Sequence, residues 1–362
     1  MMHLDLNKMR EVVYQLYMVE IARVYGDEGV SQLRKMLYGI HDIYDYVEPE
    51  TIIDSLVIFR SLQHDDDDDI PTHLANAQYF TYAEHLAQEY DVANRTGTAV
   101  IQILSNDEYR LWKNVTGDLN NLCDKAIVYV YRQRQDYFVI QGEEKAIINP
   151  SRAHASVFAI PTFRKLRDAL ENYKRRMIRT SQCKIFSKAW DGGEGSDRLF
   201  FIRGPEDIMR DSLWQYLTSV LGAEVRPEQI VDEDHPCDIK VTWMQTNRIA
   251  LIEIKWLGKS INENRSRFTQ EHSDYRANQG ARQLAEYLDA NYTQTPTHQT
   301  RGYLVVIDAR RWQLSPTSTS VNNRNGFWYR DSEITFNPEY HRVRSDFEEP
   351  IRMFAEPICR PD

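Results

Sequence analysis

One stretch, Asp238 to Lys255, constrains the fold of this chain most tightly. Ile239, Val241 and Trp243 alternate with polar residues, Met244–Arg248 carries turn chemistry around Asn247, and Ile249–Trp256 is apolar again. That is the pattern of two short strands joined by a turn. Side chains two apart on a strand share a face. Glu253 and Lys255 therefore project side by side, while Ala250, Ile252, Ile254 and Trp256 make the opposite face fully apolar. Asp238 opens the partner strand, and a hairpin of this length folds it back beside Glu253.

Two carboxylates and a lysine at a sheet edge form a defined chemical kit. Hard cations such as Mg²⁺ take oxygen ligands, commonly one or two carboxylates with waters and substrate phosphate. A bound metal acidifies its water and polarises a phosphoryl oxygen. A lysine orients or helps deprotonate the attacking water and offsets charge building on phosphate. These are the parts of phosphodiester hydrolysis. By itself a Glu-x-Lys pair is more often a solvated ion pair of little energetic weight, so the neighbouring features carry the argument.

Gly204-Pro205-Glu206-Asp207 reads as a helix start, with proline at the first turn and acids near the positive end of the dipole. Met209, Leu213, Tyr216, Leu217 and Val220 mark the buried stripe. Glu206 lies at its inner edge, as dipole complement or as an additional metal ligand. His235-Pro236-Cys237-Asp238 is a turn that delivers Asp238 into its strand; His235 reads as a structural or exposed histidine rather than a ligand. Further on, Gln283 and Tyr287 sit one turn apart on a helix whose packing stripe is Ala277, Ala281, Leu284, Ala285 and Leu288. Taken alone, that pair is surface or half-buried polarity.

In order, the Glu206 helix, Asp238, Glu253-Ile254-Lys255, the Gln283/Tyr287 helix and a strand over Tyr303–Asp308 give α-β-β-α-β. This arrangement resembles the restriction-endonuclease-like, PD-(D/E)XK nuclease superfamily over Arg198–Arg311. Asp238 matches the first acidic position of the motif, Glu253 the second and Lys255 the lysine. Glu206 matches the helical glutamate of many members, and Gln283 and Tyr287 match the Q-x-x-x-Y element of the RecB-type branch. Cys237 departs from the pattern by separating Pro236 from Asp238. The resemblance implies catalysis by Asp238, Glu253, Lys255, Glu206, Gln283 and Tyr287. It places Mg²⁺, with Mn²⁺ as substitute, on Asp238, Glu253 and Glu206. The implied activity is a nuclease, foremost a DNA endonuclease, in a restriction or anti-phage defence setting, working as a homo-oligomer or with a partner subunit. A nuclease-like subunit without activity, serving nucleic-acid binding or assembly, is the alternative the superfamily also offers. A third reading makes the N-terminal half a protein-interaction module.

The 362 residues suffice for two domains. No apolar run approaches a membrane span and no signal-peptide pattern opens the chain. The cysteines, Cys123, Cys183, Cys237 and Cys359, are scattered, which fits a reducing cytoplasm better than a zinc or disulfide framework. A net charge of −10 argues against nucleic acid only if the charge is uniform, and it is not. From Arg164 to Lys188 nine Lys/Arg stand against two acids. Lys174, Arg175, Arg176 and Arg179 within that segment are candidate phosphate contacts, or else the solvated face of a helix over Thr162–Arg179. Ala309-Arg310-Arg311, after the last core strand, reads equally as a phosphate contact or a solvated strand end.

The N-terminal part reads as a mostly helical domain with a small β-hairpin region. Helices are expected over His3–Gly26, Val30–Tyr46, Pro49–Leu62, Thr72–Val92 and Asp107–Lys125. Ala99–Leu104 is β-like, Ala126–Tyr131 and Tyr137–Gln141 form a hairpin, and Lys145–Ile148 adds a strand. The Asp65–Asp69 run is a self-repelling solvated loop. The Gly-rich segment Asp191–Ser196 reads as a linker. It divides a recognition or regulatory domain, 1–190, from a nuclease-like domain, 197–362.

Overall fold

The structure is a computed structural model that describes residues 6–63, 74, 76–93, 97–116, 119–148, 155–160, 162–230, 236–244, 246, 248–295 and 298–360. The Asp65–Asp69 run and His235 lie outside the described residues. The fold is mixed α/β, with a helix near the N-terminus and two mixed sheets. The chain divides into two units, Met1–Pro161 and Thr162–Asp362.

In the first unit the leading helix, α1 (Leu6–Tyr46), breaks at Gly26, whose φ of 67° leaves the helical region. The expected pair of helices is thus present as two helices that meet at a kink at Gly26. Leu33, Met36, Leu37, Ile40, Ile43 and Tyr44 recur at helical spacing and are buried against a seven-stranded sheet. The strands are β1 (Ser55–Ser61), β2 (Gln78–Phe80), β3 (Thr98–Ile103), β4 (Tyr109–Val115), β5 (Ala126–Arg132), β6 (Gln135–Ile140) and β7 (Glu143–Ala146), in the order β2-β4-β3-β1-β5-β6-β7. Among the described residues β1–β3 is the one parallel pairing of neighbouring strands in this sheet; α2 (Ala83–Ala93) follows β2.

Two helix expectations fail here. Pro49 opens only a short 3₁₀ turn, and the apolar run after it is the central strand β1. Leu56 and Ile58 enter one core cluster while Val57 and Phe59 enter another. A strand buried on both faces reads as continuous hydrophobicity, without the alternation that would reveal it. Asp107–Lys125 is likewise no α-helix: Asp107, at φ 65°, closes a tight turn, β4 follows, and a 3₁₀ turn over Asn120–Asp124 is its helical part. Thr72–Val92 is helical only over its later part, in α2. The domain is therefore built on a sheet. Its expected hairpin is β5–β6, where buried Asp136 accepts from Ser156 Oγ at 2.7 Å and Val157 N at 2.9 Å. Of the aromatics in that hairpin, Tyr129, Tyr131 and Phe138 are core residues.

The second unit is a sheet between two helical layers. It holds α3 (Phe163–Tyr173) with a π turn at Lys174–Ile178, α4 (Lys184–Ser187), α5 (Glu206–Leu221), β8 (Glu224–Ile230), β9 (Pro236–Trp243), β10 (Arg248–Ile261), β11 (Phe268–His272), α6 (Asp274–Gln294), β12 (Gln299–Asp308), α7 (Asn323–Gly326), α8 (Tyr340–Val343) and β13 (Ile351–Phe354). The strand order is β13-β12-β10-β9-β8, with β11 paired to the far part of β10. Strands β10, β12 and β13 are parallel, and β8, β9 and β10 are antiparallel. The element order matches the expected α-β-β-α-β with two strands added, β8 and β11.

The alternation of β10 has the expected result. Ala250, Ile252, Ile254 and Trp256 pack with α3 and α5, while Ile249, Leu251 and Leu257 pack with Ala277, Ala281 and Leu284 of α6. Asp191–Ser196 is a turn within this unit: Trp190 stacks on Phe201 at 4.2 Å and Asp191 N donates to Phe200 O. The basic helix α3, expected in the N-terminal domain, packs here through Leu166, Leu170 and Tyr173. Among the described residues no helix is long and apolar enough to cross a membrane.

Candidate active site

The site forms where β9 and β10 part. Their ladder runs from Arg248↔Trp243 to Ile252↔Ile239. One residue beyond, a side chain takes over from the backbone: Asp238 Oδ2 accepts the Ile254 N–H at 2.7 Å. This fixes the carboxylate of β9 against β10 next to Glu253.

Glu253 and Lys255 form an ion pair beneath α6, their side chains 2% and 8% exposed. Glu253 Oε2 is buried with no hydrogen-bond partner among the described residues. Space for the lysine comes from Gly280, where a β-carbon would lie 2.5 Å from Lys255 Cγ and 3.1 Å from Cε. Burial raises the Glu253 carboxyl to about 8, and the Asp238 charge pushes it the same way against Lys255 and Arg276. Asp238 is also raised by burial, opposed by the Ile254 N–H, Lys255 and Arg210.

Glu206 opens α5 as expected, but its Oε1 accepts from Arg276 Nη2 at 2.9 Å. Its charge is close enough to raise Asp238. Gln283 donates to the Tyr287 hydroxyl, which donates to the Pro236 carbonyl at 3.1 Å. These two residues brace β9 two positions before Asp238. Burial and then the Glu253 charge raise the Tyr287 hydroxyl, so it stays protonated as the donor.

Several neighbours escape a reading of the sequence. Arg210, one turn after Glu206, spans α5, β8 and β9: Nη2 lies 2.9 Å from Asp207 and 2.7 Å from Glu228, and Nη1 3.7 Å from Asp238 Oδ1. Arg276, in the first turn of α6, holds Glu206. His272 packs edge-on to Trp256 with ring centroids 4.4 Å apart and leaves Nε2 buried without a partner among the described residues. Burial, then Arg276, lowers its pKa. The only advance signal for these residues was their place at element ends flanking the motif.

The basic segment is partly spent on structure. Lys165 caps α5 through Leu221 O at 2.9 Å and Arg167 bonds Glu348 at 2.9 Å. Lys174 pairs with Glu171 at 3.6 Å, Arg175 donates to Asn172 at 3.2 Å and Arg179 lies 3.4 Å from Glu356. Arg175, Arg176 and Arg179 are exposed and Lys174 half-buried. They belong to the helical layer on the sheet face opposite α6. Arg310 is held by Asp308 and Asp274, both at 2.7 Å. Arg311 is buried and donates to the Arg198 and Ala355 carbonyls, so this Arg pair is structural.

Among the described residues no three His, Cys, Asp or Glu side chains gather as a metal-holding group. Two do come together. Asp238 and the unpartnered oxygen of Glu253 give the one or two carboxylates that Mg²⁺ uses when substrate phosphate and water complete its shell. On that test the pair fits a hard divalent cation, whereas Glu206 is already bonded to Arg276. No protein-family model, curated protein or solved structure matches this chain.

Proposed function

We propose that the second unit is a metal-dependent nuclease of the PD-(D/E)XK kind, hydrolysing phosphodiester bonds in nucleic acid, DNA foremost. The observation that carries this reading is the convergence of Asp238, Glu253 and Lys255 at the parting of β9 and β10, with Glu253 Oε2 buried and unpartnered among the described residues. A buried polar atom without a partner costs free energy unless a ligand uses it.

A divalent cation on Asp238 and Glu253, Mg²⁺ or Mn²⁺, would supply Lewis-acid polarisation of the phosphoryl group and an acidified water. Lys255, fixed between Glu253 and Gly280, donates to the attacking water or to a non-bridging phosphoryl oxygen and offsets the charge that develops there. The Ile254 N–H holds the Asp238 carboxylate in one orientation. Tyr287 holds the strand that carries it. As the new P–O bond forms, the attacking water gives up a proton to solvent, the bond to the sugar oxygen breaks and that oxygen takes up a proton from solvent.

The bond from Arg276 to Glu206 favours a second reading. Arg276 occupies the carboxylate expected to aid the metal, as would suit a nuclease-like subunit that binds nucleic acid without cutting it. Incubation of plasmid, single-stranded DNA and RNA with Mg²⁺ or Mn²⁺, wild type beside Lys255→Ala, separates the two. Metal-dependent cleavage by wild type and not by the variant is expected. Binding without cleavage by either protein would install the second reading.

A further inference from the structure

Past β12 the chain builds a surface of another kind. The Trp312 and Trp328 rings stack with centroids 4.8 Å apart and planes within 19°. Trp312 is half-buried, whereas Trp328 is 45% exposed. Tyr329 lies 6.4 Å from Trp312 and carries the Arg310 guanidinium over its ring at 4.7 Å. Arg352 of β13 pins the turn that presents these rings. It donates to Arg330 O at 2.9 Å and to the carbonyls of Tyr329 and Ser332, and it also bonds Asp308 Oδ2. The exposed indole is thus presented on a fixed support.

The platform lies at the end of the sheet that holds the carboxylates. Asp308, from which Arg310 and Arg352 are anchored, is level with Leu257, two residues past Lys255 on the neighbouring strand. Arg310 donates to Asp274 at the first residue of α6, and Arg276 of the same turn bonds Glu206 and acts on Glu253. Arg324 and Arg330, four residues before and two after Trp328 in the chain, are exposed, Arg330 being paired with Asp331 at 3.0 Å and lying over the Phe327 ring at 5.2 Å.

A stacked indole with one open face, beside exposed guanidinium groups, is the chemistry that takes an unpaired nucleobase and its phosphate. A duplex keeps its base faces inside its own stack and offers such a platform only its ends. We infer that Trp328, supported by Trp312, stacks an unpaired base of a nucleic-acid strand whose backbone runs on to Asp238 and Glu253. This rests on the nuclease reading and specifies its substrate as single-stranded or end-frayed.

The test is binding in EDTA, read by quenching of tryptophan fluorescence and by anisotropy of labelled probes. The probes are an oligo-dT strand of about 20 nucleotides, its duplex with oligo-dA, and an abasic deoxyribose-phosphate strand of the same length. Oligo-dT is expected to bind tightest. Trp328→Ala should weaken it about tenfold, Trp328→Phe should keep most of the affinity, and the weaker duplex and abasic binding should not change. Equal oligo-dT affinity for wild type and Trp328→Ala overturns the inference. So do equal affinities for oligo-dT and the abasic strand, or no binding of oligo-dT by wild type, which would leave the platform to a protein partner. Restoring Mg²⁺ reads the nuclease separately. Strand binding through Trp328 without cleavage overturns the nuclease and spares the platform. Cleavage by wild type with undiminished binding by Trp328→Ala does the reverse.

Discussion

Helix α6 approaches β10 so closely at Gly280 that a β-carbon there would sit 2.5 Å from Lys255 Cγ. The absent side chain of one residue sets the position of the other. Gly280→Ala should gain about 1 kcal/mol of helix propensity and lose about 1–3 kcal/mol to overpacking. The fold therefore survives with a small drop in stability. Displacing the lysine should cost about 100-fold in turnover. Turnover and thermal unfolding on one preparation check this, and unaltered turnover would show that the lysine's position is not set by the helix.

Asp238 serves both the site and the backbone. Asp238→Asn keeps an acceptor for the Ile254 N–H, whereas Asp238→Ala strands a buried donor at about 1–3 kcal/mol. Both variants should be inactive, with the alanine variant less stable than the asparagine one. Equal denaturation midpoints would mean that the hydrogen bond does not hold β9 to β10.

The raised Glu253 carboxyl makes stability depend on pH. The folded state keeps a proton that the unfolded chain releases above its ordinary value of 4.5, up to about 8. Stability from this group is full below 4.5 and is lost as pH rises through about 8. Glu253→Gln removes that dependence. In metal-free buffer its melting temperature relative to wild type should climb from acid pH to pH 8, and metal binding to wild type should release protons across the same interval. A difference in melting temperature that does not vary with pH would contradict the assignment.

Tyr287 acts on the site through Pro236. Tyr287→Phe removes the donor to that carbonyl, at about 1 kcal/mol, and loosens the strand carrying Asp238. Cleavage should fall about tenfold while the pH of half-maximal activity stays where it is. A shifted pH profile would instead make the hydroxyl a proton-transferring group.

The second unit was the more legible of the two. Glu253 and Lys255 alternate with Ile252, Ile254 and Trp256, and a period of two declares both the strand and the shared face. Spacing placed Asp238 on its strand and Gln283 and Tyr287 one turn apart on their helix, and the family resemblance singled them out. What spacing cannot give is which elements meet, so Gly280, Arg210, Arg276 and His272 stayed hidden, and Glu206 was read without Arg276. Leu56–Phe59 concealed a central strand because both of its faces are buried. Arg310 and Arg311 looked available to phosphate because Asp274, Arg198 and Ala355, which complete their bonding, lie far along the chain, and because spacing alone does not show that nearby Asp308 turns onto Arg310.

The most direct test of the account pairs Mn²⁺ titration calorimetry with single-strand and plasmid cleavage on four proteins: wild type, Asp238→Asn, Glu253→Gln and Lys255→Met. The account predicts that wild type binds the ion and cuts, that the two carboxylate variants do neither, and that Lys255→Met binds the ion without cutting. Cleavage by Lys255→Met at the wild-type rate, or no ion bound by wild type, would contradict it.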